Sequence, residues 1–122
     1  MAVECDQAAQ ILAAEGIDAA VIDLRSLKPW DAEAVLESVR KTGRAIVADP
    51  GWRTAGASAE IAATIFEQAF HDLAEPVARV TMPDCPAPAS RSEEAVYYPG
   101  AHDICVAARK VMHRKSSREA AA

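Results

Sequence analysis

Two hydrophobic periods alternate along this chain, and this alternation restricts the fold more than any other feature. Short β-branched runs at residues 18–24, 44–49 and 77–82 have the length and composition of buried strands. The segments between them repeat their apolar residues at helical spacing. Because strands that alternate with helices form parallel sheets covered on both faces, the sequence predicts an α/β domain. Its three layers are helices, a mostly parallel sheet, and helices again.

Glycine and aspartate residues mark the ends of the first two predicted helices. The first helix covers residues 2–14 and ends before Gly16, because glycine readily adopts the left-handed conformation of a helix end. The second covers the segment "AEAVLESVRKT". Asp31 directly precedes it and can accept hydrogen bonds from its first amide groups, and Gly43 ends it.

Two more helices are predicted in the second half of the chain, at about residues 58–73 and 101–113. Residues 83–100 contain four prolines and no hydrophobic period, so we expect a long loop there. Residues 114–122 are polar or small and are expected to form a flexible tail. The apolar residues predicted to face the core are Ile61, Ile65, Phe66, Ala69, Phe70 and Leu73 in the third helix, and Ile104, Ala108, Val111 and Met112 in the last.

The number of strands does not match the number of helices. Four helices accompany only three predicted strands, and the chain starts within a helix. In a parallel α/β sheet, a helix at that position normally connects two strands. We therefore expect that a strand is missing on the N-terminal side of the sheet.

The segment "DPGWRTAGASAE" partly matches a phosphate-binding loop. Gly51 and Gly56 have the spacing of such a loop, and Ser58 stands where a hydroxyl would hold a metal ion. Ala57 occupies the position of the required lysine, and Glu60 adds a negative charge where a phosphate would lie. We therefore interpret the segment as a glycine-rich turn from a strand to a helix.

The composition excludes several classes of function. The net charge of −5 argues against a general nucleic-acid-binding protein, and no apolar run approaches the roughly 20 residues that span a bilayer. Cys5, Cys85 and Cys105 are odd in number and lack the spacing of a zinc site or disulfide framework. Three reduced thiols are typical of a reducing compartment, so we expect a cytoplasmic protein.

No catalytic or metal-binding residue is predicted. His71 and His113 lie near helix ends, where a basic side chain interacts favourably with the helix dipole. His102 and Asp103 are adjacent, but no nucleophile follows in a pattern known from hydrolases. Cys85 lies in a proline-rich loop without an evident base that would activate its thiol.

An ordered series of motifs resembles one known family. The motifs are "VIDLRSLKPWD", "SVRKTGR", "GW…G…AEIA", and "VARVTMPDCPAPAS" followed by "YYP", and they extend over about residues 1–112. Each motif is unspecific alone, but their order is similar to the C-terminal domain of transketolase-type enzymes. The sequence is most similar to that domain in the β subunit of the decarboxylating component of 2-oxo acid dehydrogenases (pyruvate, acetoin and branched-chain types).

The resemblance implies a role without direct cofactor contact. In this family, thiamine diphosphate and Mg²⁺ serve the decarboxylation of a 2-oxo acid, and the acyl group passes to the lipoyl arm of an acyltransferase. Other domains hold the cofactor, so this chain is expected to bind none and to be inactive alone. Its implied role is subunit assembly and docking of the acyltransferase. The expected partners are a pyrimidine-binding domain, an α subunit and the acyltransferase core, with a homodimer as an alternative.

Five residues are candidates for such an interface: Asp23, Arg25, Trp52, Arg53 and Glu75. Asp23 and Arg25 end the first predicted strand, where the alternative is an internal ion pair or turn anchor. Trp52 and Arg53 are residue types enriched at interface hot spots. Glu75 lies near the position where family members present an acid to a basic docking domain, although the match there is shifted by one residue.

The resemblance also accounts for the missing strand. The family has a strand directly before the helix at residues 2–14, and that strand lies inside the sheet. Either this sequence is a fragment of a longer chain, or a split gene places the upstream domains on another polypeptide. We expect the domain, at residues 1–113, to be marginally stable alone or to close its sheet differently. The alternative function is a freestanding interaction or small-anion-binding module that reuses the fold.

Overall fold

The computed structural model describes residues 1–119, with side chains up to Met112, and this part forms five α-helices and two strands. No helix in it is long and apolar enough to cross a membrane. The mixture of helices with a small parallel sheet confirms the predicted α/β class. The elements are α1 (Ala2–Ala14), α2 (Ala32–Thr42), β1 (Ile46–Trp52), α3 (Ala57–Ala69), β2 (Ala78–Met82), α4 (Arg91–Tyr97) and α5 (Ala101–Glu119), with a 3₁₀ turn at Phe70–Asp72.

The sheet separates two hydrophobic cores. Strands β1 and β2 pair in parallel, with Ile46 opposite Ala78 and Asp49 opposite Thr81. Along β1, alternate side chains reach opposite faces, as the pleat of a strand requires. The α1/α5 core consists of Ala8, Leu12, Val80, Ile104, Cys105 and Ala108, and the α2/α3 core consists of Leu36, Val39, Ile61, Ile65 and Ala69.

The predicted ends of the first two helices are confirmed. The Asp31 carboxylate accepts a hydrogen bond from the Ala34 amide at 3.0 Å, which satisfies one of the free donors at the start of α2. Gly43 ends α2 in the left-handed conformation with φ of +67°. Gly16, two residues after α1, has φ of +82°. Local sequence signals therefore place these boundaries correctly.

Residues 18–24 do not form the predicted strand. The sheet within residues 1–119 contains only β1 and β2, and the segment 18–24 has no regular secondary structure. Val21 and Ile22 are 37% and 40% exposed, so the prediction of a buried strand is wrong. A β-branched run becomes a strand only when a neighbouring strand bonds its amide and carbonyl groups. The described part of the chain offers this run no such neighbour.

The loop predicted at residues 83–100 contains α4, so that prediction is wrong in part. The seven residues of α4 include no proline, although prolines stand on both sides of the helix. The Ser90 hydroxyl donates to the Glu93 carboxylate at 2.7 Å at the start of this helix. The proline content of the whole segment concealed a short stretch that can form a helix.

The structure buries a narrower apolar face of α3 and of α5 than the sequence predicts. Phe66 and Phe70 were predicted to face the core but are more than half exposed, and Met112 is 40% exposed. The α2/α3 core takes only the narrow stripe at positions 61, 65 and 69, which recur every four residues. Helix α5 continues to Glu119, beyond the predicted end at residue 113. Residues 120–122 of the predicted tail lie outside the described residues.

Candidate functional site

One carboxylate holds the turn between β1 and α3. Asp49 accepts a hydrogen bond from the Gly51 amide through Oδ1 and from the Ser58 amide through Oδ2, both at 2.9 Å. The Ser58 amide belongs to the first turn of α3, where amide groups have no partner within the helix. Asp49 therefore caps α3 from within β1. Sequence reasoning missed this role because Asp49 lies far from the usual cap position in the chain.

The geometry of this turn does not fit a phosphate group. A bound anion would need the amide groups that Asp49 already satisfies, and the charges of Asp49 and Glu60 would repel it. A Cβ at Gly51 would meet both carboxylate oxygens of Asp49 at 3.1 Å, so the glycine leaves room for the internal carboxylate. Among the residues with described side chains, no group of histidine, cysteine and acidic residues could hold a metal ion.

Trp52 is a surface residue whose ring is fixed by a hydrogen bond. Its Nε1 donates to the Tyr97 hydroxyl at 3.1 Å, and that hydroxyl donates to the Cys85 carbonyl at 2.7 Å. Tyr97 is buried, whereas Trp52 remains 55% exposed. The network ties β1 to α4 and to the loop after β2. It therefore presents a large aromatic surface in a fixed orientation, which lowers the entropy that the Trp52 side chain would lose when a partner binds.

Arg53 follows Trp52 and is held by the end of the sheet. The guanidinium of Arg53 donates to the Arg79 carbonyl at 3.4 Å, and that of Arg79 donates to the Arg53 carbonyl at 3.0 Å. The next residue, Thr54, donates to the Asp84 carboxylate from its hydroxyl at 2.6 Å and from its amide at 2.9 Å. These hydrogen bonds hold the pKa of Asp84 below its ordinary value. Trp52 and Arg53 are thus consecutive exposed residues at the end of β1, and we call the two together the Trp52 surface.

The other candidate interface residues have different environments. Arg25 donates to the Asp23 carboxylate at 3.2 Å, and the two side chains are 86% and 46% exposed. This is an ion pair, as the alternative interpretation expected, but it lies on the surface and not inside the domain. A surface pair of this kind contributes little to stability. Glu75, just before β2, is buried with 7% exposure.

The three cysteines are free thiols in different environments. Cys85 is exposed, as its place in the proline-rich loop predicted, and Cys105 is buried. Cys5 is partly buried, and this burial raises the pKa of its thiol. The Cys105 thiol donates to the Ala8 carbonyl at 3.7 Å and so joins α5 to α1. Since a raised pKa disfavours the reactive thiolate, Cys5 fits a packing role.

We expect part of the acid sensitivity of the fold to come from Glu15. Arg109 donates two hydrogen bonds to this carboxylate, at 2.9 and 2.6 Å, and they hold the pKa of Glu15 below its ordinary value. A lowered pKa stabilises the folded chain above the unfolded pKa, about 4.3 for glutamate, and the gain is lost as pH falls through the folded pKa. Urea denaturation over a pH series should show a shallower acid-side loss for Glu15→Gln.

The same measurement in about 1 M salt provides the control for the Glu15 prediction. Both side chains of the pair are more than a third exposed, so salt should weaken their interaction in the wild-type chain. The salt effect on acid stability should be smaller in Glu15→Gln. Identical pH dependence of the wild-type and variant chains would contradict the prediction.

One family model and several curated proteins match this chain. The family described as "Transketolase, C-terminal domain" matches residues 1–104. The pyruvate dehydrogenase E1 component subunit beta of Rickettsia bellii is 42% identical over 88% of the chain. The 2-oxoisovalerate dehydrogenase subunit beta of Pseudomonas aeruginosa is 44% identical over 80% of it. The acetoin:2,6-dichlorophenolindophenol oxidoreductase subunit beta of Cupriavidus necator is 42% identical over 87%.

The match covers only part of each relative. The chain spans 33% of the Rickettsia protein, 27% of the Pseudomonas protein and 31% of the Cupriavidus protein. About two thirds of each relative therefore has no counterpart in this sequence.

Proposed function

The chain belongs to the transketolase C-terminal domain family, and on this premise we propose that it is the C-terminal domain of a β subunit of a decarboxylating 2-oxo acid dehydrogenase. The observation that carries the proposal is the family match over residues 1–104, together with 42% identity to a pyruvate dehydrogenase β subunit. In the whole enzyme, thiamine diphosphate and Mg²⁺ would supply the decarboxylation chemistry. We propose that other domains of that enzyme hold both groups and that this domain serves assembly.

The proposed assembly role centres on the Trp52 surface. Trp52 offers an exposed aromatic ring whose orientation Tyr97 fixes, and the next residue, Arg53, is an exposed cation. Aromatic and arginine side chains carry a large share of the binding free energy in protein interfaces. The partners are a pyrimidine-binding domain, an α subunit and the acyltransferase core. Glu75 is excluded from the proposed surface because its side chain is buried, and Asp23 and Arg25 form a second, weaker candidate.

The alternative of a small-anion-binding module has less support. The glycine-rich turn was the segment of the sequence most similar to an anion-binding site. The Gly51 and Ser58 amide groups of this turn already donate hydrogen bonds to the Asp49 carboxylate. A cytoplasmic location stays a prediction from the three thiols.

Native mass spectrometry of the tagged chain, isolated gently from its own cells, tests the assembly proposal. We expect the chain to be recovered in a complex with a polypeptide that carries a pyrimidine-binding domain. The pure chain should show no pyruvate turnover with thiamine diphosphate and Mg²⁺. Recovery of a folded chain without a partner, or turnover by the pure chain, would contradict the proposal.

Replacing Trp52 with alanine should weaken this assembly by about 30-fold or more, the effect expected of an interface hot spot. The measurement is the dissociation constant of the complex recovered above. Phe66→Ala provides the control, because Phe66 is an exposed aromatic residue on α3, outside the Trp52 surface. Equal affinities of the two variants would remove Trp52 from the interface.

A further inference from the structure

A cavity of about 400 Å³ lies between the start of β2 and helix α5. Residues 75–79 form one wall, and Ala107, Lys110 and Val111 form the other. These three helix residues are separated by three and four positions, so they lie on one face of α5. Small-molecule sites have volumes of about 300 to 1,000 Å³, so this cavity is large enough for a small ligand.

Three residues that line this cavity carry a positive charge, namely Arg53, Arg79 and Lys110. Among the residues with described side chains, none of the three forms an ion pair with a carboxylate. The chain as a whole has a net charge of −5, so a cavity lined by three cations differs from its average surface. A cleft lined by charges of one sign concentrates ions of the opposite sign. The charge of the cavity therefore favours an anionic ligand.

The two arginines hold each other in place through backbone groups. The Arg53 guanidinium donates to the Arg79 carbonyl at 3.4 Å, and the Arg79 guanidinium donates to the Arg53 carbonyl at 3.0 Å. Each of these bonds uses only Nη1, whereas a guanidinium has five N–H donors. Both positive charges are thus positioned before a ligand arrives, and each keeps donors for it, which lowers the entropic cost of binding.

Two carboxyl groups near the cavity leave the arginines available. Glu75 lines the cavity as well, but it precedes Arg79 by four residues, up to about 13 Å along an extended chain. The amide and hydroxyl of Thr54 donate to the two oxygens of Asp84, and these bonds, with a smaller contribution from the charge of Arg53, lower the pKa of Asp84. An anion would therefore lie at the arginine end of the cavity, away from Glu75.

We propose that this cavity binds a phosphate group, either as free phosphate or at the end of a small phosphate ester. Arg53 and Arg79 would donate N–H groups to the phosphate oxygens, and Lys110 would supply a third positive charge. The fork of a guanidinium matches two phosphate oxygens, and lysine is a common phosphate ligand. A carboxylate has one negative charge and two oxygens, so it would leave one of the three cations unmatched. A phosphate ester has three terminal oxygens and up to two negative charges, so it can contact all three cations.

This site is separate from the glycine-rich turn, whose Gly51 and Ser58 amide groups donate to Asp49. The inference rests on the cavity and its three cations, and it is independent of the proposed assembly role. Arg53 belongs both to the Trp52 surface and to this site, so the test uses Arg79 and Lys110.

An NMR titration of the isotope-labelled full chain, which follows each backbone amide, tests the proposal. The probes are inorganic phosphate and glycerol phosphate, at constant ionic strength. We expect saturable shifts at Val77, Arg79 and Lys110. Lys110→Gln should weaken binding by about tenfold, the effect of removing one charged hydrogen bond. Arg79→Lys keeps the charge but loses the fork, and it should also weaken binding.

The matched control is Lys41→Gln. Lys41 is an exposed lysine in the last turn of α2, outside the cavity, and its replacement changes the net charge of the chain by the same amount. We expect Lys41→Gln to bind phosphate as tightly as the wild-type chain does. Equal weakening by Lys41→Gln and Lys110→Gln would show an effect of net charge alone and would overturn the proposal.

The remaining outcomes are equally specific. Tighter binding of glycerol phosphate than of inorganic phosphate would assign the site to esters, and the reverse or equality to free phosphate; both support the proposal. Succinate bound as tightly as phosphate, unchanged binding by a folded Arg79→Lys chain, or the absence of saturable shifts would overturn it. If Arg79→Lys unfolds, as its amide spectrum would show, the exposed Lys110→Gln variant decides alone.

Discussion

Replacing Gly56 with alanine is expected to lower the free energy of unfolding by about 2–3 kcal/mol, the cost of overpacking a site that cannot relax. A Cβ at position 56 would fall inside the contact distance of the Trp52 carbonyl oxygen and 3.5 Å from the Asp49 carboxylate. The carbonyl belongs to the backbone of β1, so no side-chain rotation relieves the clash. Urea denaturation of the two chains measures the difference.

The control for this substitution is Gly100→Ala. A Cβ at Gly100 would make an ordinary contact of 3.4 Å with the Glu4 carboxylate, at the end of a flexible side chain. Neither glycine has a positive φ, so both substitutions reduce the freedom of the unfolded chain alike. A Gly56→Ala variant as stable as Gly100→Ala would show that the turn can shift away from Trp52.

The Gly56→Ala substitution should also disturb the proposed interface. The Trp52 carbonyl that the new methyl group contacts belongs to the residue whose ring the Tyr97 hydroxyl orients. Displacing this backbone would weaken the capping of α3 by Asp49 and the orientation of the Trp52 ring together. The close approach of Asp49 to Gly51 and of the Trp52 carbonyl to Gly56 is thus the structural reason for glycine at both positions. The spacing of a phosphate-binding loop follows from this tight turn.

Replacing Ile65 with alanine should lower the free energy of unfolding by about 2–4 kcal/mol, as expected for removing a buried aliphatic side chain. Ile65 is 1% exposed and packs in the α2/α3 core. We expect a value in the lower part of that range, because Ile65 also lines an open cavity beside β1 and so loses fewer contacts. Chemical denaturation, with the midpoint and slope fitted together, is the measurement.

The matched control is Phe66→Ala on the same helix. Phe66 is larger than Ile65 but 56% exposed, and its ring contacts Phe70 at a centroid distance of 4.8 Å. Its removal should cost less than about 1 kcal/mol, since mostly exposed side chains contribute little burial. An effect of Phe66→Ala equal to that of Ile65→Ala would contradict the packing described for α3.

The elements that sequence reasoning predicted correctly depend on nearby residues. Asp31 caps α2, Gly43 ends it, and β1 and β2 appear at the second and third β-branched runs. Each signal acts over a few residues, through a side chain that bonds an adjacent amide or through a backbone conformation. The family resemblance, carried by the order of short motifs, was confirmed by the match over residues 1–104.

The errors concern residues whose state is decided by distant partners. Phe66 and Ile65 are adjacent and equally apolar in the sequence, yet only Ile65 faces α2. The structure buries the Glu75 side chain, which its place in the chain did not indicate, and its docking role stays a prediction. Asp49 was not predicted at all, because its hydrogen bond to the Ser58 amide spans nine residues.

The sequence by itself determined the α/β class, the ends of α1 and α2, and the order of β1 and β2, because these follow from local hydrogen bonding and hydrophobic period. It also determined the family, through the order of its short motifs. Only the tertiary structure decided that residues 18–24 stay outside the sheet, although their composition is that of a strand. A strand exists only in a ladder, so its formation depends on a neighbour and not on its own residues.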